Sequence, residues 1–138
     1  HKQDHIMHEQ GRRALNSQAT LPAAHRPDVC IGTDPFHTTV WITEILVSHF
    51  AGHGHRVEIK RPYVGTIVPT KFYQKCAQVL SIMVEINKGL YREDNSLSPI
   101  KKPEAYQSLL DCIAALYYEI EIHTHGLELE RLMEGLPT

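Results

Sequence analysis

The sequence predicts a layered α/β domain, with a mixed or mostly parallel sheet flanked by helices. Three observations carry that prediction. A short apolar run, VCIGT, is followed by the amphipathic stretch HTTVWITEILVSHF and then by RVEIK, a strand–helix–strand order. The run VLSIMVEIN has the length and composition of a further strand. From Pro103 onward, apolar residues recur at steps of three and four.

The first strand starts at Val29 and is stopped by Asp34–Pro35, and the helix that follows carries Ile42, Ile45, Leu46, His49 and Phe50 on one side. Gly52 and Gly54 end it. A helical crossover joins the first two strands, so they are expected to be parallel. The loop RPYVGTIVP leads to the third strand, whose unbroken apolar run suggests cover on both faces and hence a central place in the sheet. Pro103 suits a first helical position, and Tyr106, Leu109, Leu110, Ile113, Leu116, Tyr117 and Ile120 define a helix expected to stop near Gly126. LELERLMEG beyond it reads as another short helix or a frayed tail. Residues 1–25 form a poorly defined segment, and 1–138 reads as a single α/β domain or the C-terminal portion of a larger one.

With 14 basic and 16 acidic residues, the net charge of -2 lacks the cationic excess that nucleic acid or anionic lipid attracts. No apolar run approaches the roughly 20 residues of a membrane span, and HKQDHIMHEQ lacks the apolar core of a signal peptide. A cytoplasmic protein with a small-molecule partner is the expectation. Cys30, Cys76 and Cys112 are odd in number and far apart, without a CxxC pair, so they are expected to be reduced and mostly buried. No GxSxG elbow marks a serine nucleophile, and VGT and IGT are too sparse in glycine to cradle phosphates.

Glu85 stands inside SIMVEINKGLY. On a strand, Met83, Glu85 and Asn87 share one face and Ile82, Val84 and Ile86 the other. A dry carboxylate must find a cation, a metal or several donors, or take up a proton, and a raised pKa suits a general base. A structural ion pair or a strand end open to water is the competing reading. Ligands of open α/β sheets gather outside the carboxyl ends of the strands, so GTDPFHT, RPYVGT and EIN are expected to share one rim.

RPDVCIGTDPFHT, RPYVGTIVPTKFY and SIMVEINKGLYRED occur in an order and spacing that resemble the N-formylglutamate amidohydrolase family, from Arg26 to Glu93. The resemblance implies a zinc carboxypeptidase-like fold and a zinc-dependent hydrolase that cleaves N-formyl-L-glutamate, or a related N-acyl amino acid, in histidine catabolism. It places Glu85 as the catalytic carboxylate that takes a proton from metal-bound water. Asp34, His37, Arg61 and Asn87 become candidate substrate contacts, with an arginine fork suited to a carboxylate. Three of these have a plainer reading: Asp34 caps the helix, His37 bonds within its first turn, and Arg61 is a solvated loop residue.

The chain also departs from the family. Asn16 and Gln18 stand near where Asp and His are expected, Lys60 replaces an asparagine, and Lys88 an arginine. The zinc ligands are therefore unassigned, and the fold reads as incomplete. The chain is either the C-terminal half of a longer protein or a shortened relative that has lost the metal, and the latter leaves a non-catalytic binding or interaction module as the alternative function. A half-domain completed by a partner chain or a homo-oligomer is a third reading. Ten histidines include HFAGHGH, HTH and the pair His5 and His8, of which HFAGHGH is the strongest candidate for a metal.

Overall fold

The structure is a computed structural model and describes residues 26–92 and 102–135. Its elements run β1 (Val29–Gly32), α1 (Val40–Gly52), β2 (Val57–Ile59), β3 (Met83–Ile86) and α2 (Pro103–Glu134), with a 3-10 turn at Lys88–Leu90. The three strands form one sheet in the order β2–β1–β3. β1 and β2 are parallel, as the crossover through α1 requires, with Val29 opposite Val57 and Ile31 opposite Ile59. β3 runs antiparallel to β1, pairing Val29 with Ile86 and Gly32 with Met83.

β1 is central and buried at all four positions. β3 is an edge strand and only half-buried, which corrects the expectation of a covered central strand. Its apolar run has a different cause. Val84 lies opposite Ile31, and Ile82 and Val84 pack with the core that faces the helices. Met83 and Glu85 lie opposite Gly32 and Cys30 on the other face.

Val29 and Ile31 meet Ile42, Leu46 and Phe50 of α1 and Cys112 and Leu116 of α2, forming one core on one side of the sheet. α1 buries Ile42, Leu46, His49 and Phe50, a helical stripe. Its end is a paired cap: His55 donates from its backbone to Phe50 O at 3.0 Å and Gly54 to Ala51 O at 3.0 Å. Gly54 takes φ +84°, the left-handed conformation that this cap needs. α2 buries Leu109, Cys112 and Leu116 and then continues through Gly126 to Glu134, past the expected stop. One interior glycine costs a helix only about 1 kcal/mol, too little to end it. An apolar cavity of about 300 Å³ remains between α2 and the sheet, lined by residues including Val84, Ile86, Leu116 and Ile120.

Gly32 sits where the chain after β2 crosses close to β1. A Cβ there would meet the backbone oxygen of Gly65 and the Met83 side chain, the latter at 2.6 Å. The Gly65 oxygen belongs to the main chain and yields only if the loop moves. Gly32→Ala is expected to lower the unfolding free energy by about 1–3 kcal/mol. Urea denaturation of the variant beside the parent chain measures the loss.

Candidate functional site

The turn after β1 is built from side chains that accept backbone donors. Asp34 Oδ1 accepts from the N–H groups of Phe36 at 2.8 Å and His37 at 2.9 Å. The Asp34 N–H donates to Thr38 Oγ1 at 2.8 Å, and that hydroxyl donates to Ser81 O at 2.6 Å. Asp34 therefore organises the turn and does not cap α1, whose N-cap position is Thr39, which corrects the helix-cap expectation. His37 is fully buried. Its Nε2 accepts the Gln74 N–H at 2.9 Å, which leaves the proton on Nδ1 to be donated to Val79 O at 2.8 Å. Phe36 packs edge-on against the ring and Tyr73 stacks on it. Ser81 also donates from its backbone to His37 O at 2.9 Å. The imidazole thus holds the long segment before β3 against the β1–α1 turn.

A cleft of about 350 Å³ opens at this end of β1 and β2, lined by Thr33, Asp34, Thr38, Thr39, Glu44 and Lys60 among others. Lys60 takes φ +59° at the turn out of β2, and Arg61 follows it with an exposed side chain. The sheet brings these two segments to one rim, as expected for parallel strands. The third expected segment is elsewhere. Because β3 is antiparallel, Asn87 lies at the opposite end of β1, where its backbone N–H donates to Asp28 O at 2.8 Å. Its side chain donates to Pro27 O at 3.3 Å and accepts the Gly89 N–H at 3.0 Å. The single three-segment rim is thereby corrected.

Glu85 lies opposite Cys30 on the edge strand β3 and is exposed. The expectation of a nearly dry carboxylate does not hold among the described residues. β3 is an edge strand, and the packed core lies on the other face. The patch around Glu85 is nevertheless electrostatically coupled. Burial pushes the Cys30 thiol up, backbone hydrogen bonds at Tyr63 and Arg61 oppose this, and the charges of Glu85 and Glu58 reinforce it. Tyr63 is likewise pushed up, first by burial and then by Glu85. The Cys30 thiol points to Tyr63 O at 3.7 Å. It is no ready nucleophile.

Among the described residues, one group of three side chains could hold a metal ion: His49, His53 and Cys112, whose ligand atoms lie within 4.8 Å of one another. Sequence reasoning singled out HFAGHGH but did not supply Cys112. The available signal was its place on the Leu109–Leu116 face of α2, the face that meets α1. His123 instead packs against Trp41, and His5 and His8 lie outside the described residues.

A mixed α/β fold with Glu58 and Glu85 beside Cys30 and a cleft at the strand ends is a frame suited to small-molecule chemistry. The family model FGase, N-formylglutamate amidohydrolase, matches residues 5–92. The chain belongs to this family. Comparisons with curated proteins and with solved structures each returned no match. No helix among the described residues is long and apolar enough to cross a membrane.

Two expectations follow from the bonding. His37→Ala removes both ring contacts from a buried position and is expected to cost about 3 kcal/mol. Proteolysis between residues 66 and 81 should accelerate, which limited digestion measures. Cys30 and Tyr63 have raised folded values, so the neutral forms are stabilised. That contribution is complete below pH 9.0, the ordinary thiol value, and is lost as pH rises through the folded values. Urea midpoints at stepped alkaline pH should decline accordingly.

Proposed function

We propose that this chain carries part of an amidohydrolase site that cleaves the C–N bond of N-formyl-L-glutamate or a related N-acyl amino acid. Membership of the family supports the hydrolase class. The observation that carries the residue assignment is the place of Glu85, opposite Cys30 on the sheet face turned away from the packed core. In this reading Glu85 takes a proton from the attacking water. The water oxygen bonds to the acyl carbon, the C–N bond breaks, and the proton passes to the leaving nitrogen. Products are formate, or the corresponding acid, and a free amino acid.

Arg61 is the one of the four candidate substrate contacts that is exposed. It and the neighbouring Lys60 are suited to a substrate carboxylate. Asp34 and His37 shape the turn beside the cleft, and Asn87 sets the opposite end of β3. The zinc that the resemblance implies finds no ligand set around Glu85 among the described residues. The His49, His53 and Cys112 group belongs to the helix layer, across the sheet from Glu85. No step is therefore assigned to a metal here. A zinc ion beside Glu85 would take its ligands from outside the described residues. The reaction is expected in the cytoplasm.

A second reading is a non-catalytic module that binds an N-acyl amino acid, favoured by the exposure of Glu85 and the strand-end cleft. Glu85→Gln in the whole protein separates them. Turnover of N-formyl-L-glutamate should fall by about 10²–10⁴-fold while circular dichroism stays unchanged. Undiminished turnover rejects Glu85 as the base. Binding of the substrate without turnover in the parent protein favours the module.

A further inference from the structure

We propose that His49, His53 and Cys112 form a structural metal site, separate from the hydrolytic centre, that clamps α1 to α2 and takes a thiolate- and imidazole-binding divalent cation such as zinc. His49 and His53 stand one helical turn apart at the end of α1, and Cys112 reaches them from the buried face of α2. His49 Nε2 and Cys112 Sγ are 3.5 Å apart. Two ligands at zinc distances of about 2.0 Å for nitrogen and about 2.3 Å for sulfur, held tetrahedrally, have nearly that separation.

The outer contacts are also those of a metal site. His49 Nδ1 lies 2.7 Å from Glu119 Oε2, and His53 Nδ1 lies 2.8 Å from His49 O. In each ring Nδ1–H is directed at an oxygen acceptor, the arrangement that orients Nε2 toward a cation. His49 Nε2 is also 2.7 Å from Cys112 O, so a cation bound to that nitrogen must displace this contact. Metal binding displaces the thiol proton to solvent and forms the S–metal bond. His53 is exposed, so a cation can reach the group from solvent.

The clamp acts where packing is weak. The cavity of about 300 Å³ borders α2 at Ile113, Leu116 and Ile120, and beyond Ile120 most of α2 is exposed. A metal bridge at Cys112 would add a fixed point to this joint.

Cobalt(II) titration of the full chain tests the site. We expect one equivalent to bind with a thiolate-to-cobalt charge-transfer band, which zinc displaces. Cys112→Ser and His53→Ala should each abolish that band. His53 is exposed, so its replacement leaves the fold intact even where the cysteine variant does not fold. Glu119→Ala should weaken cobalt affinity by about 10–100-fold. Zinc should raise the melting temperature of the parent chain and leave that of His53→Ala unchanged. Absence of the band, its persistence in His53→Ala, or a zinc-independent melting temperature would overturn the site. None of these readouts depends on turnover or on Glu85.

Discussion

Four buried residues of β1 impose the constraint on which the rest of the structure rests. Their backbone N–H and C=O groups lie away from water on both edges and must be paired there, since each unpaired group costs about 1–3 kcal/mol. β2 satisfies one edge and β3 the other. The flanking residues extend the ladder: Asp28 and Val29 both donate to Arg56 O, Lys60 donates to Ile31 O, and Asn87 to Asp28 O. The α1 crossover and the long segment before β3 are the routes by which the chain reaches these two edges. His37 fastens the second route and the α1 cap ends the first.

That arrangement separates two chemistries. On the helix side, Val29 and Ile31 complete an apolar core with α1 and α2, and the His49–Cys112 cluster sits at the joint between the helices. On the other side, burial with the charges of Glu85 and Glu58 pushes the Cys30 thiol up, and burial with Glu85 pushes Tyr63 up. A sheet one residue thick in its alternation keeps the two apart, because neighbouring strand residues point to opposite faces. The same alternation places a thiol, rather than a carboxylate, at the most enclosed point of that group.

Much of the local structure was legible. Pro103 begins α2, the α1 stripe is Ile42, Leu46, His49 and Phe50, and Gly54 supplies the left-handed cap residue. These depend on neighbours in the chain, so periodicity and turn chemistry report them. The site was legible in part. The segments after β1 and β2 were anticipated at one rim, whereas Asp34, expected to cap the helix, bonds the turn ahead of it. The direction of β3 was not legible, because an apolar run reads the same at an edge or a centre and in either orientation. Asn87 was drawn to the wrong end of the sheet on that account. Cys112 was missed as a neighbour of His49 because 63 residues separate them and neither helix pattern encodes its partner.

The amino-acid sequence by itself determined the order of elements, their amphipathic faces and membership of the N-formylglutamate amidohydrolase family. Tertiary structure alone decided that Glu85 lies exposed on an edge strand, that His37 serves as an internal staple, and that His49 meets both Glu119 and Cys112. The physical reason is the range of the forces that set each feature. Helix and turn preferences act over a few residues, whereas pairing of a buried backbone and closure of a core are satisfied only by segments that meet across the whole fold.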